Sequence, residues 1–324
     1  MPKAIRIHRN GGPEELKWED VEVGAQAAGE ARVRHHAIGL NFLDVYNRTG
    51  LYKLPMPSGL GQEGAGVVEA VGSGVTDIKA GDRVAYAGGP VGAYSEVRNM
   101  PADRLVKLPD GVSFEQGASM MLKGMTAQYL IKRTYKIQPG QTIVLHAAAG
   151  GVGLILSQWA RALGVHVIGV VGSDEKAAVA RAHGCAHTVV SSRENLPQRV
   201  KEITGGQGVP VVYDSVGKDT WTLSLDCLQP LGMMVSFGSA SGPLPPINAA
   251  ELASRGSLFF TRPTLNTYAA KRVDLLASAN DLFDAVLTGK VKIEINQRYA
   301  LRDAAQAHRD LEARKTTGST ILTV

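Results

Sequence analysis

The distribution of apolar residues gives the chain two different textures. Up to about residue 110, short alternating or β-branched runs such as 31–34 and 66–71 are separated by Gly and Pro, which is typical of a mostly β domain. Ser113 and Gln116 have the spacing of a helix capping box, and residues 114–133 contain no Pro, so helices are predicted there. A domain boundary is expected close to this change.

From Gln141 onward, apolar runs alternate with helical segments. The pattern predicts strands at 142–146, 165–171, 189–190, 211–213, 233–237 and 258–260, with helices at 152–163 and 175–182. Strand and helix in alternation predict a doubly wound parallel sheet. Residues 301–315 read as an amphipathic helix and 319–324 as a last strand that returns to the first domain.

The segment 142–153 is a predicted strand, a turn of small residues and the start of a helix. Ala148, Gly150 and Gly153 occupy the three positions of the dinucleotide fingerprint, with Ala148 in place of the first Gly. Gly150 allows the backbone to approach a pyrophosphate, and Gly153 allows close packing of helix and strand. Free N–H groups at a helix start favour an anion, so the turn is predicted to bind a dinucleotide. Its candidate contacts are Ala149, Gly150, Gly151 and Val152.

The end of the second strand selects between the two nicotinamide cofactors. NAD enzymes usually place a carboxylate there, whereas this chain has Gly172 and Ser173. Ser173 can donate to a 2′-phosphate, and Lys176 can supply a cation, so NADPH is predicted. Asp174 and Glu175 argue against phosphate, but they follow the turn and are expected to point to solvent. The alternative is that Ser173 only caps the helix.

Composition excludes several classes of protein. With 44% hydrophobic and 20% charged residues in 324, the chain has no apolar run near the ~18 residues of a membrane span, and its N-terminus lacks a secretory signal. A cytoplasmic protein is expected. The net charge of +5 is spread along the chain, which argues against a nucleic-acid surface. His183, Cys185 and His187 alternate, but they fall at a helix-to-strand junction where no metal site is predicted.

Seven blocks then resemble one family over essentially the whole chain. They are 12–14, 39–44, 61–66, 81–84, 147–153, 213–217 and 237–238. The chain resembles the zinc-free, zeta-crystallin-like quinone oxidoreductases of the medium-chain dehydrogenase/reductase superfamily. The resemblance implies an α/β protein with a GroES-like, mostly β catalytic domain (1–122), a Rossmann domain (123–262) and a return to the catalytic domain (263–324). It also implies a homodimer, for which the apolar strand 258–260 is a candidate pairing edge.

The zinc-bearing members of this superfamily differ at three positions. They carry Cys, His and Cys where this chain has Asn41, Gln62 and Leu122, which are not zinc ligands. No metal is therefore expected. Quinones and conjugated enones accept hydride without a Lewis acid, so the absence of ligands agrees with a quinone acceptor.

Further site residues follow from the resemblance and from strand ends. Asn41, Tyr46 and Tyr52 are expected to face the nicotinamide and the acceptor, although either Tyr could serve only core packing. No general acid is evident, and the proton donor stays open among Tyr52, Tyr46 and water. Asn41 is also an expected cofactor contact, in addition to the turn and to Gly172, Ser173 and Lys176. The remaining expected contacts are Thr126, Ser192, Val216, Phe237, Gly238, Ser239, Arg262, Arg314 and Gly318. Arg262 could instead bridge domains, and Arg314 could be an exposed helix-end cation.

The sequence thus predicts NADPH-dependent reduction of quinones, by hydride or by one electron at a time. An alternative enzyme is an NADPH-dependent reductase of alkenal or enone double bonds, which needs the same alignment of cofactor and acceptor. A rival from another class is an NADPH-regulated RNA-binding protein, which the basic charge permits but no aromatic-basic motif supports.

Overall fold

Strands dominate the first part of the chain in the computed structural model, which describes residues 1–324. The elements here are β1 (Lys3–Ile7), β2 (Lys17–Asp20), β3 (Glu30–Leu40), α1 (Phe42–Thr49), β4 (Ser58–Gly59), β5 (Glu63–Val71), β6 (Arg83–Ala87), β7 (Val97–Pro101), β8 (Val106–Lys107) and α2 (Phe114–Tyr129). The predicted capping box begins α2: the Gln116 N–H donates to Ser113 Oγ (3.1 Å), and the Ser113 N–H donates to Gln116 Oε1 (2.9 Å).

Strands and helices alternate after α2, which continues as a π-helical turn over Leu130–Thr134. The elements are β9 (Thr142–His146), α3 (Gly151–Ala162), β10 (His166–Val171), α4 (Asp174–Ala182), β11 (Cys185–Val190), α5 (Leu196–Ile203), β12 (Val209–Asp214), α6 (Trp221–Asp226), β13 (Leu228–Ser236), α7 (Ala249–Ser254), β14 (Phe259–Thr261) and α8 (Leu265–Tyr268). Each of the six predicted strands is present, and the predicted helices 152–163 and 175–182 correspond to α3 and α4.

The chain ends with α9 (Arg272–Leu287), β15 (Ile295–Ala300), α10 (Ala304–Glu312) and β16 (Ser319–Thr323). The predicted helix over 301–315 is wrong at both ends. Residues Leu301–Asp303 form a 3₁₀ turn, and the α-helix stops before Arg314, whose φ of 58° is left-handed and incompatible with a continuing helix.

The backbone separates into two compact units. One comprises Met1–Met125, Ala269–Leu287 and Ile293–Val324, and the other Thr126–Tyr268 and Thr288–Lys292. The predicted divisions after residues 122 and 262 fall a few residues earlier than these boundaries.

The first unit contains two sheets. Strands β15-β16-β3-β5-β6-β8 form one, with β7 also paired to β3, and β2-β1-β4 form the other. β16 pairs antiparallel with β3, so the last strand returns to the first domain as predicted. The core between these elements includes Ile38, Leu60, Val84, Tyr94 and Leu322.

The second unit is built on one six-stranded sheet of order β11-β10-β9-β12-β13-β14. All its pairings are parallel, with Val144 of β9 opposite Ile168 of β10 and Val212 of β12. The order reverses beside β9, which is the doubly wound arrangement predicted from the alternation. No helix in the chain has the length and apolar character to cross a membrane.

Candidate active site

The predicted dinucleotide turn joins β9 to α3 in the second unit. Ala147 has a positive φ of 52°, and the Gly150 N–H donates to its carbonyl oxygen at 2.9 Å, which closes the turn. Gly150 is extended at the N-cap of α3, where no side chain caps the helix. The first amide N–H groups of α3 therefore have no acceptor from a capping side chain, as an anion-binding helix start requires.

Gly153 is fixed by the space around it. A Cβ at this position would lie 2.5 Å from the carbonyl oxygen of Ala147 and 2.6 Å from that of Ala148. Both are backbone atoms of the turn, so a side chain would push α3 away from β9. A Cβ at Gly150 would meet the Ala147 oxygen at 3.1 Å, a milder contact. The turn thus has the close helix–strand packing that the fingerprint demands.

The carboxyl end of β10 carries the residues predicted to select NADPH. Ser173 caps α4, since the Lys176 N–H donates to its Oγ at 3.4 Å. Asp174 and Glu175 are exposed, and Asp174 forms an ion pair with Arg193 (2.6 Å). The capping role foreseen as the alternative for Ser173 is therefore present, and Arg193 is a second cation beside this turn that the sequence prediction did not include.

The carboxyl ends of β12 and β13 hold another predicted set. The Asp214 carboxylate accepts from the Val216 N–H (2.7 Å) and the Gly217 N–H (3.1 Å), and also from the hydroxyl groups of Thr220 and Ser224. Ser224 also contacts His146 Nε2 at 2.9 Å. This buried carboxylate fixes the turn after β12, and burial lowers the pKa of His146.

Arg262 organises the turn after β13. Its guanidinium donates to Ser236 Oγ (3.0 Å), the Gly238 carbonyl oxygen (2.7 Å) and Ser239 Oγ (3.2 Å). A Cβ at Gly238 would lie 2.4 Å from the Ser215 carbonyl oxygen, so this glycine lets the turns after β12 and β13 touch. Ser192 is exposed directly after β11, and Thr126 is buried in α2.

Most of the predicted cofactor contacts therefore lie along one edge of the six-stranded sheet. Because the strands are parallel, their carboxyl ends share an edge, and the residues following β9, β10, β11, β12, β13 and β14 lie along it. The residues are Ala149, Gly150, Gly151, Val152, Gly172, Ser173, Ser192, Val216, Phe237, Gly238, Ser239 and Arg262.

In the first unit, Asn41 is the N-cap of α1 and is held by two buried carboxylates. Its backbone N–H donates to Asp44 Oδ2 (2.9 Å), and its side-chain Nδ2 donates to Glu63 Oε2 (2.8 Å). Glu63 Oε1 accepts from the Leu122 N–H (2.8 Å), and Oε2 also accepts from Lys123 Nζ (3.1 Å). Asn41 and Leu122, two of the three positions compared above with zinc-bearing enzymes, thus share one carboxylate.

Tyr46 and Tyr52 are brought together beside α1. Their ring centroids are 5.4 Å apart in an edge-on arrangement, and the Tyr52 N–H donates to the Tyr46 carbonyl oxygen. Tyr46 is buried, whereas Tyr52 is 39% exposed. Asn47 links this pair to Gln62, whose Nε2 donates to Asn47 Oδ1 at 3.1 Å.

A chain of hydrogen bonds runs from Asp44 to α10. Arg48 donates to His308 Nδ1 (2.9 Å) and pairs with Glu312 (2.8 Å), His308 Nε2 contacts the Tyr94 hydroxyl (3.1 Å), and that hydroxyl donates to Asp44 Oδ2 (2.9 Å). Because arginine only donates, Nδ1 must accept, which places the proton of neutral His308 on Nε2. The Tyr94 hydroxyl is then free to donate to Asp44.

Burial dominates the titration of this chain of groups. It raises the pKa of Asp44 to about 7, and, with the charge of Arg48, it lowers the pKa of His308 to about 3. Burial, followed by the charge of Asp44, raises the pKa of Tyr94 well above its ordinary value.

The sequence prediction assigned no role to Asp44, Glu63, Lys123, Tyr94 or His308. Asp44 and Glu63 lie inside the blocks that carry the family resemblance, which was the available signal. Arg314 and Gly318, predicted to close over the nicotinamide, lie in the loop between α10 and β16. Gly318 has a φ of 58°, a left-handed conformation that favours glycine, so the backbone is a second reason for glycine at this position.

No group of three or more His, Cys, Asp or Glu side chains is arranged to hold a metal ion. His183 bonds the Val179 carbonyl oxygen, Cys185 is buried against Ser157, and His187 is exposed. Burial raises the pKa of Cys185 to about 11, which keeps the thiol protonated at neutral pH.

Comparison with known proteins gives matches over both units. Residues 27–110 match the family model described as alcohol dehydrogenase GroES-like domain, and residues 151–275 match that described as zinc-binding dehydrogenase. The chain is 56% identical to a quinone oxidoreductase of Pseudomonas aeruginosa over 99% of both chains. It is 47% identical to a 2-haloacrylate reductase of a Burkholderia species, again over 99% of both chains.

A solved structure is also similar to this chain over almost its full length. The Escherichia coli quinone oxidoreductase complexed with NADPH superposes with a TM-score of 0.98 at 49% identity, covering 99% of this chain and 100% of that one.

Proposed function

The chain belongs to the quinone oxidoreductase family of the medium-chain dehydrogenase/reductase superfamily, as its motifs predict, and from this membership we propose that it is an NADPH-dependent quinone reductase. The observation that carries the proposal is the full-length match, at about half identity, to enzymes of that name, one of which is solved with NADPH. The intact dinucleotide turn between β9 and α3 supports it independently.

The cofactor fits the second unit. The uncapped start of α3 and the absence of space for a side chain at Gly153 suit a pyrophosphate held by backbone N–H groups at Gly151 and Val152. We assign the 2′-phosphate to Ser173 and Lys176, with Arg193 as a further cation of the same turn. When bound, the dinucleotide supplies the reducing equivalents for the reaction.

The protein side chains position the acceptor and supply hydrogen bonds to it. We propose that Tyr52, the more exposed of the tyrosine pair, donates its hydroxyl hydrogen bond to an acceptor oxygen, while Tyr46 fixes the Tyr52 ring. Asn41 contributes a pre-oriented amide, since its backbone and side chain are both held by carboxylates. A donor such as the Tyr52 hydroxyl stabilises charge that develops on an acceptor oxygen. The Asn41 nitrogen already donates to Glu63 Oε2, so this amide offers its oxygen as a hydrogen-bond acceptor.

We further propose that the reaction requires no metal, because Asn41, Gln62 and Leu122 offer no zinc ligand. Dialysis against a chelator should leave quinone reduction within about twofold of the untreated rate, since no step depends on a Lewis acid. Loss of activity that returns on adding Zn²⁺ would disprove metal independence.

A panel of acceptors tests the assignment. Oxidation of NADPH, followed by absorbance, is measured with a series of benzoquinones and naphthoquinones, with alkenals and enones, and with 2-chloroacrylate. We expect turnover of quinones to exceed that of the other acceptors. The 2-haloacrylate reductase among the relatives favours carbon–carbon double bonds as the second candidate, and reduction of 2-chloroacrylate or enones without quinone turnover would replace the first.

Two finer proposals concern assembly and location. We propose a homodimer formed through β14, an edge strand of its sheet on which Phe259 is 55% exposed. We also propose a cytoplasmic enzyme, which cell fractionation with antibody detection would test.

A further inference from the structure

The ion pair of Glu63 and Lys123 is among the most buried in the protein. The exposed fraction of the side chain is 0% for Glu63 and 7% for Lys123, and the ammonium and carboxylate are 3.1 Å apart. A Cβ at Gly39 would fall 2.1 Å from Glu63 Oε2, so the glycine of β3 leaves the room that this carboxylate occupies. Burying two charges is costly unless they are paired and hydrogen-bonded, and the Glu63 carboxylate accepts from three donors, Asn41, Leu122 and Lys123.

One oxygen of Glu63 serves two donors. Oε2 accepts from Asn41 Nδ2 at 2.8 Å and from Lys123 Nζ at 3.1 Å, while Oε1 is occupied by the Leu122 N–H. A carboxylate only accepts, so the Asn41 amide must turn its nitrogen toward Glu63 and its oxygen away. The orientation of this amide is thus set by the ion pair before any ligand arrives.

Removal of the ammonium would change what Glu63 can do. A buried carboxyl group with no cation beside it takes up a proton, and a protonated carboxyl donates as well as accepts. Either end of the Asn41 amide could then face Glu63. Lys123 makes no hydrogen bond to Asn41 itself, so its influence on the amide passes through the carboxylate.

We propose that Lys123 is a positioning residue for the reduction, which acts through Glu63 to fix the orientation of the Asn41 amide. This rests on the proposed function, in which Asn41 binds the cofactor or the acceptor. It predicts that Lys123 and Asn41 are energetically coupled although no hydrogen bond joins them.

A double-mutant cycle tests the coupling. Lys123→Met should lower kcat/KM for a naphthoquinone at least about tenfold in the natural chain, but less than about twofold in the Asn41→Ala background, where no amide is left to orient. Lys123→Arg keeps the positive charge and should retain activity within about threefold. Equal losses from Lys123→Met in both backgrounds would overturn the proposal, because a purely structural role is additive with Asn41→Ala.

Two controls separate orientation from folding. Lys107→Met removes an ion pair of similar length (3.0 Å to Asp82) at the surface of the same unit and should leave kcat/KM unchanged. If Lys123→Met does not fold, the neutral pair Lys123→Met with Glu63→Gln replaces it in the cycle. The amide introduced by Glu63→Gln can both donate and accept, so Asn41 is again free to invert, and wild-type activity of this variant would overturn the proposal.

Failure of the proposed function has a different signature. A natural chain that binds NADPH but reduces no quinone would refute the proposed acceptor. The four proteins of the cycle, which are the natural chain, Lys123→Met, Asn41→Ala and the double variant, would then be compared by fluorescence titration with NADPH alone. Coupling between Lys123 and Asn41 would support the positioning role, and additivity would overturn it.

Discussion

Gly153 is the glycine of the turn between β9 and α3, the proposed nucleotide-binding turn, with the least space for a side chain. Gly153→Ala would place a Cβ 2.5 Å from a backbone oxygen of the turn, so α3 must move and its N–H groups lose their alignment. We expect the NADPH dissociation constant, measured by fluorescence titration, to rise at least tenfold, which corresponds to about 1.4 kcal/mol. Gly24→Ala is the control, since no atom lies within 4 Å of its added Cβ. Unchanged affinity in Gly153→Ala would contradict a pyrophosphate at this turn.

Lys176 is the residue assigned to distinguish the two nicotinamide cofactors. Lys176→Ala should raise the dissociation constant of NADPH about tenfold and that of NADH less than twofold, because only NADPH carries the 2′-phosphate. Lys201→Ala, an exposed lysine of α5 in the same unit, should alter neither. Equal weakening of both cofactors would show that Lys176 does not bind the 2′-phosphate, and Arg193→Ala would then be the next variant.

At the scale of elements, the hydrogen bonds from Asp44 to His308 connect α1 to α10. Arg48 of α1 and His308 of α10 are 260 residues apart in the chain. Asp44 and His308, the titratable groups in this series of hydrogen bonds, have opposite effects on the pH dependence of stability. Asp44 has a folded pKa of about 7 against an ordinary 3.8, so the folded state holds the extra proton and unfolding becomes harder as pH falls from 7 towards 4. His308 has a folded pKa of about 3 against 6.5, so the unfolded state takes up the proton and stability is lost as pH falls from 6.5.

These effects oppose each other between about pH 4 and 6.5, and single substitutions should separate them. Asp44→Asn leaves His308 alone, so the free energy of unfolding should fall more steeply with acid than in the natural chain, by up to about 1.4 kcal/mol per pH unit. His308→Gln should make the free energy of unfolding less sensitive to acid. Urea unfolding at pH 8, 6.5 and 5 measures both, with His187→Gln on the exposed side of β11 as control. Slopes parallel to the natural chain in both variants would refute the two shifted pKa values.

At the scale of the whole molecule, the six-stranded sheet has β14 at one edge, where its unpaired backbone groups and the exposed Phe259 suit a second copy of the chain. Light scattering should therefore give twice the 34.3 kDa of one chain. Phe259→Asp places a charge on the proposed contact and should shift the protein to the monomer, whereas Val273→Asp, an exposed apolar position on α9, should not. A monomeric natural chain would refute the dimer.

The succession of strands and helices in the Rossmann sheet could be predicted, because the hydrophobic pattern of neighbouring residues specifies each element. The run Thr142–His146 followed by small residues and an apolar helix specifies strand, turn and helix within about twenty residues, and the alternation that follows restricts the topology. The end of the helix near Arg314 could not be predicted, because a left-handed arginine leaves no compositional signal.

The sequence by itself determined the two-domain α/β class, the glycine-containing turn between β9 and α3, and the family, since each depends on neighbouring residues or on recognisable blocks. Only the tertiary structure decided which polar groups surround Asn41. Glu63 and Lys123 are 60 residues apart, and Arg48 and Glu312 are 264 apart, so strand pairing and helix packing bring them together. The physical reason is that the energy of a buried charge depends on partners distant in the chain, and no local pattern encodes them.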